Sequence, residues 1–300
     1  MYDVIIIGGG PAGMSSLLWS QRLELHSLLL ESQSTLGGQL LSVHNPLIDY
    51  LGIPVDNGKQ LQAKFVNHLQ SMNCNYKCGV EVQDFLLREK RIITNQGEYK
   101  AHALILALGS KDKRLGIPGE SEMIARNEVY SASKDKSLFQ GQTVAVIGGG
   151  DRALEGAIIL ANHGAFVLLI HRNEQFRARQ EYIKTALQHP NIKIHTNTKI
   201  LKILSTSQVT GMMIETNAIV QTISVKAVFV RIGVKPQTEA FKDQLKIDSD
   251  GYIQTNYLGE TSLPNVFAVG DICTRPLLSC VSYSVAQGTI AAKTISNRKK

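Results

Sequence analysis

Glycines placed where a nucleotide phosphate needs backbone contact occur twice in this chain, each time followed by a charged residue suited to reading a ribose. In DVIIIGGGPAG, residues 3–13, Gly8, Gly10 and Gly13 stand at G-x-G-x-x-G spacing. A glycine permits the tight turn at the first position, lets backbone approach a pyrophosphate at the second, and lets a helix pack on its strand at the third. The next apolar run, LHSLLLE, ends at Glu31. A carboxylate there accepts both hydroxyls of an adenosine ribose and repels a 2′-phosphate, so this site should take FAD or NAD in preference to NADP. In TVAVIGGGDRALEGA, residues 143–157, Gly148, Gly150 and Ala153 repeat the spacing in its G-x-G-x-x-A form. The run after it, AFVLLIHR, ends in His171 and Arg172, with Arg177 close behind. Guanidinium groups grip phosphate oxygens bidentately, so Arg172 and Arg177 point to an NADP 2′-phosphate. The plainer alternative is that these arginines open a solvated helix.

Each cluster needs a strand before it and a helix after it. Residues 4–7, VIII, and 144–147, VAVI, are continuous apolar runs, as strands buried on both faces require. The helix N-termini that follow would present N–H groups to phosphate. The expected fold is therefore α/β, with two Rossmann-like dinucleotide-binding domains. The thiols are Cys74, Cys78, Cys273 and Cys280, too few for a secreted disulfide framework and wrongly spaced for zinc. CNYKC, residues 74–78, reads as surface or core rather than redox-active. DICTRPLLSC places Cys273 and Cys280 in one loop ahead of a helical segment. A cysteine at a helix N-terminus has its thiolate stabilised by the dipole, which a redox thiol needs. His163, His189 and His195 have no cysteine or carboxylate array around them in sequence, so no metal site is expected.

Composition excludes several classes. The chain has 300 residues, 43% of them hydrophobic, with 25 Gly and 8 Pro, which fits one large or two medium globular domains and neither disorder nor collagen. No apolar run of about 18 residues suggests a membrane span. A strand pattern from the second residue, without a basic leader, points to a cytoplasmic protein. The net charge of +7 is not gathered into blocks, and aromatic residues form no stacking platform, so nucleic acid binding is not expected. The excess would suit phosphate-bearing cofactors or an acidic partner. The closing NRKK reads as a solvated tail.

Further motifs follow in order: LGGQL at 36–40, ILALGS at 105–110, LGIPGE at 115–120, RIGVKP at 231–236 and SLPNVFAVGD at 262–271. With the two fingerprints, the chain resembles the low-molecular-weight thioredoxin reductase family of FAD flavoproteins from end to end. The resemblance implies an FAD-binding domain made of residues 1–115 and 246–300, with an NAD(P)-binding-like domain, residues 116–245, inserted into it. It places Gly38 and Gln39 along the FAD, Asp271 at the ribityl chain and Asp49 beside the isoalloxazine, and it brings Gly109 of ILALGS into the cofactor site. It also implies a homodimer whose domains rotate to bring nicotinamide or substrate to the flavin.

The pattern departs where members of that family carry a redox-active CxxC. Here the stretch reads Ser131-Ala132-Ser133-Lys134. A hydroxyl cannot replace a thiolate in disulfide exchange, so direct thioredoxin reduction by the usual route is not expected. Asp135 behind it then reads as a cap or solvated turn. The arginine pair of the family's HRRxxFRA is reduced by Asn173 in HRNEQFRA, which would weaken NADPH by about tenfold or more. Two relatives without the CxxC are similar. In the diflavin-linked disulfide oxidoreductase type a second FAD stacks on the first and serves a cysteine pair elsewhere, which would be Cys273 and Cys280 acting on a small redox protein or dithiol partner. The thioredoxin-reductase-like ferredoxin/flavodoxin–NADP reductases share ASKDKSLFQG but end in a flavin-covering tail that follows the last helix. The expected function is FAD-dependent electron exchange with a non-standard dithiol or disulfide. The alternatives are NADPH-dependent carrier reduction and a non-catalytic flavin-binding redox sensor.

Overall fold

A computed structural model describes Met1–Lys299, and Lys300, the last residue of the expected NRKK tail, lies outside the described residues. The chain divides into two compact units, one of Met1–Lys111 and the segment from Lys235 onward, the other Asp112–Val234.

The first unit begins with β1 (Tyr2–Ile7), α1 (Pro11–Arg22), β2 (Ser27–Leu30), α2 (Gly58–Ser71), β3 (Tyr76–Lys77), β4 (Val82–Leu86), β5 (Arg91–Thr94) and β6 (Gly97–Leu106), and β7 (Ser110–Asp112) leads out of it. The second holds α3 (Glu120–Ala125), α4 (Ala132–Asp135), β8 (Thr143–Ile147), α5 (Asp151–Asn162), β9 (Phe166–Ile170), α6 (Gln180–Gln188), β10 (Ile192–His195), β11 (Thr198–Ser205), β12 (Val209–Thr216), β13 (Ile219–Ser224) and β14 (Ala227–Val230). β15 (Val234–Pro236) leads back to the first unit, which closes with β16 (Val266–Ala268) and α7 (Val281–Lys299).

In the first unit the sheet runs β3-β2-β1-β6-β5-β4, with β16 also paired to β6. β1 lies parallel to both β2 and β6. Its apolar run serves both faces: Val4 and Ile6 enter the core beneath α1 and α7, while Ile5 and Ile7 enter the opposite one. That period-two split explains why no polar residue interrupts the run. α1 starts with Pro11, whose missing N–H costs nothing in the first turn. α7 lies close on α1 because Gly288 has no side chain: a Cβ there would stand 2.3 Å from the Ala12 carbonyl oxygen.

The second unit repeats the plan with a four-stranded parallel sheet, β10-β9-β8-β14. Val144 and Val146 of β8 pack toward α5, and Ala145 and Ile147 toward the antiparallel sheet β11-β12-β13. No helix among the described residues is long and apolar enough to cross a membrane.

The unit boundaries differ from those read from the sequence. The return comes at Lys235 rather than 246 because Phe241 and Leu245 belong to the first unit's core, where the rings of Phe241 and Phe85 meet at 4.8 Å. The departure comes before 115 because Leu115 and Ile117 pack into the second unit. The expected solvated tail is exposed as far as Lys299, and it is helical. The last helix continues through it, Arg298 holding Glu260 with both amino groups and Lys299 reaching Asp3 at 2.6 Å.

Candidate functional site

In the first unit the end of β1 turns sharply into α1. Gly8 has φ +107°, and a Cβ on it would come within 2.4 Å of the Ala107 carbonyl oxygen, so the turn accepts only glycine. A Cβ on Gly13 would fall 1.9 Å from the Gly8 carbonyl oxygen, so the helix seats directly on the turn. Gly10 faces open space with no atom within 4 Å of the Cβ position, and the first turn of α1 has no side-chain cap. Bare helix-end N–H groups facing a void are the arrangement an anion requires.

That void belongs to a cavity of about 660 Å³. Glu31, at the end of β2, is buried in its wall. Its Oε2 accepts the Gly9 N–H at 2.6 Å and its Oε1 the Gln33 N–H at 2.7 Å. The carboxylate thus locks the glycine turn while presenting its edge to the cavity. Farther along the wall Asp271 follows β16. Its Oδ2 accepts from Gln39 Nε2 at 2.9 Å and from Ser110 Oγ at 3.2 Å, and its Oδ1 accepts from Ser279 Oγ. Gly38, Gly109 and Cys280 complete this side. Ser110 and Ser279 were not anticipated as site residues; an isolated serine next to ordinary residues carries no sequence signal.

The two cysteines expected to act together stand in different surroundings. Both are free thiols. Cys273 sits against the core, donates to the Ala268 carbonyl at 3.2 Å, and has its pKa pushed up to about 11 by burial. A thiol held protonated in this way lacks the thiolate that exchange needs. Cys280 stands in the cavity wall, exposed, immediately before α7, and its sulfur accepts the Tyr283 N–H at 3.4 Å. Asp49 is exposed and is not among the residues that line the cavity; its loop is closed by the Leu47–Val55 pairing.

The second unit rebuilds the turn. Gly148 has φ +149°, with its Cβ position 2.1 Å from the Arg231 carbonyl oxygen, and Gly150 again faces open space. In place of Glu31 stands His171, buried, stacked on Phe176 at 5.3 Å, and lowered in pKa chiefly by burial. Arg177 donates its backbone N–H to Gly149 O at 2.8 Å, which fixes the arginine loop beside the turn. Arg172 and Arg177 are both exposed, and among the described residues neither has a carboxylate within salt-bridge distance. Asp151, at the start of α5, is occupied by Arg179, whose backbone N–H and Nε donate at 2.7 and 3.0 Å. At the start of α4, Ser131 and Ser133 hydroxyls lie 3.2 Å apart, and the Asp135 carboxylate accepts the Ser131 N–H at 2.8 Å. No cluster that could hold a metal occurs among the described residues.

Two glycine cradles of Rossmann type, one closed by an acid and the other flanked by exposed arginines, define a protein of the dinucleotide-binding class. The family model for pyridine nucleotide-disulphide oxidoreductases matches residues 2–289, and the chain belongs to that family, as a flavoprotein oxidoreductase of the low-molecular-weight, thioredoxin reductase-like type. It is 33% identical over 294 residues to the 34.2 kDa protein in rubredoxin operon of Clostridium pasteurianum, covering 97% of this chain and 94% of that one. It is 30% identical over 302 residues to the thioredoxin reductase of Bacillus subtilis, covering 99% and 94%. Among solved structures, Lactococcus lactis thioredoxin reductase in the FR conformation superposes with a TM-score of 0.88 at 29% identity, covering 99% of this chain and 98% of that one.

Proposed function

We propose that the chain is an FAD-dependent, NADPH-linked oxidoreductase that exchanges electrons with a disulfide- or dithiol-bearing partner met at Cys280. The residues present suit FAD in the first unit: bare N–H groups of α1 at the pyrophosphate, Glu31 at the adenosine ribose, and the Asp271–Gln39–Ser110 cluster along the rest of the cavity. FAD supplies two-electron transfer there. The chain's own contribution is placement. Asp271 holds Gln39 and Ser279 in fixed positions, α1 would meet the phosphates, and Cys280 offers an exposed sulfur that accepts the Tyr283 N–H. Arg172 and Arg177 would take the NADPH 2′-phosphate.

The observation that carries this reading is that Cys280 and the cofactor-binding residues share one cavity wall. Reduction of a disulfide takes two electrons and two protons and leaves two thiols, which matches what NADPH with one solvent proton delivers. The pair formed by Cys273 and Cys280 is narrowed accordingly: Cys280 is the thiol that meets a partner sulfur, the electron pair that breaks the S–S bond would come from reduced FAD, and Cys273 stays protonated in the core.

An anaerobic titration tests it. NADPH should bleach the bound flavin, a small disulfide should restore its colour, and Cys280→Ser should abolish the restoration while Cys273→Ser retains it. Restoration unchanged in Cys280→Ser would overturn the role of Cys280. The second reading, reduction of an electron carrier, is favoured by Leu277 and Leu278, exposed at 93% and 61% close to the same wall in sequence. It gains if a carrier, but no disulfide, reoxidises the flavin. Flavin content per chain decides between one FAD and two, and sedimentation tests the homodimer.

A further inference from the structure

Resting on the reading of the second unit as a pyridine-nucleotide site, one residue gains a role that the fingerprint does not assign. In the sheet β10-β9-β8-β14 the chain passes from β8 to β9 on one side and only later supplies β14 on the other. The gap beyond β8 and β14 is the topological switch point, where open α/β sheets bind dinucleotides. Arg152, the second residue of α5, crosses it: its Nη1 donates to Asp112 Oδ1 at 2.8 Å. Asp112 lies next to Lys113, whose N–H donates to Gly233 O at 2.9 Å, just past the end of β14.

The charges at this gap do not balance. Arg231, also past β14, spends its guanidinium on the carbonyls of Val230 and Tyr130 at 2.8 and 2.9 Å. Asp151, the acid that would repel an anion at the start of α5, is already bound by Arg179. Arg152 is left with an exposed ion pair, which contributes little and exchanges readily. We propose that Arg152 is a ligand of the nucleotide pyrophosphate, leaving Asp112 when the nucleotide binds, and that it supplies affinity independent of the ribose 2′-phosphate. The arginines then divide the nucleotide: Arg172 and Arg177 read the 2′-phosphate, and Arg152 grips what NADPH and NADH share.

The test is calorimetric titration of the FAD-loaded full chain with NADPH, NADH, ADP and AMP. Arg152→Gln should weaken NADPH, NADH and ADP by one common factor, roughly five- to thirtyfold, and AMP far less. Arg177→Gln should weaken NADPH alone. Arg152→Lys, which keeps the charge without the planar fork, should restore part of the affinity. Unchanged NADH binding in Arg152→Gln, or a loss confined to NADPH, would overturn the assignment while leaving the nucleotide site standing. A wild-type chain that binds neither NADPH nor NADH would overturn the site and the assignment together.

Discussion

The two cradles are built to one plan and differ in what surrounds it. In each, the first glycine presses on a carbonyl at the end of a neighbouring strand, Ala107 in one and Arg231 in the other. In each, a loop N–H caps the middle glycine's carbonyl, from Gly37 to Gly9 and from Arg177 to Gly149. The residue ending the second strand differs: Glu31 accepts hydrogen bonds from the turn, whereas His171 packs against it. The first cradle is tied into its fold by the Glu31 carboxylate and lines a cavity of about 660 Å³. The second is held by packing and rimmed by exposed arginines. A cradle tied by hydrogen bonds to its wall suits a cofactor that stays, and one rimmed by exposed arginines suits a nucleotide that comes and goes.

Breaking both turns should expose that difference most strongly. Alanine at Gly8 or Gly148 must place a Cβ 2.4 or 2.1 Å from a backbone oxygen at strongly positive φ, at a cost of several kcal/mol for overpacking and strain together. Gly8→Ala should be purified without flavin. Gly148→Ala should keep its flavin and lose NADPH binding. Absorbance at the flavin band and a nucleotide titration read the two, and a colourless Gly148→Ala would show that the cradles are not separable.

A smaller effect sharpens the contrast. Glu31 satisfies the Gly9 and Gln33 N–H groups with separate oxygens, and glutamine has only one. Glu31→Gln therefore strands a buried donor, and FAD should bind about ten- to a hundredfold more weakly, at roughly 1.5–3 kcal/mol for a lost charge-assisted bond. The matching change, His171→Gln, breaks no bond to the turn and should alter NADPH affinity by less than about threefold. Equal losses in fluorescence titrations of the two variants would erase the distinction drawn between them.

The plan itself was legible in the sequence, and for a physical reason. A strand buried on both faces, a turn requiring glycine and a helix close upon it impose residue types at fixed short spacing, and so does the charge at the next strand's end. What escaped depended on contacts across long stretches of chain. Phe241 belongs with Phe85, and nothing near residue 241 announces that, so the returning boundary was placed too late. The Asp271–Gln39 bond joins positions far apart in sequence; resemblance supplied both residues, but not Ser110 or Ser279 beside them. Cys273 and Cys280 are neighbours in the chain, yet one turns into the core and the other to the cavity, which spacing alone could not decide.

The smallest expected effect concerns pH. Burial depresses the pKa of His171, with Arg172 and Arg177 adding to it, and His195 is lowered by burial and Lys193. A base whose folded pKa lies below its unfolded value of 6.5 is bound to fewer protons when folded, so its contribution is present in full above that pH and is lost as pH falls below it. The second unit should therefore unfold at progressively lower urea between pH 7 and pH 5. His171→Phe, which keeps a ring against Phe176, should flatten that decline while leaving His195 to account for the remainder. The first unit places a carboxylate at the matching position and has no histidine there to titrate. An acid limb in urea midpoints that is as steep in His171→Phe as in the wild type would mean that His171 is not held neutral by its packing, and that the second cradle is not secured in the way its geometry implies.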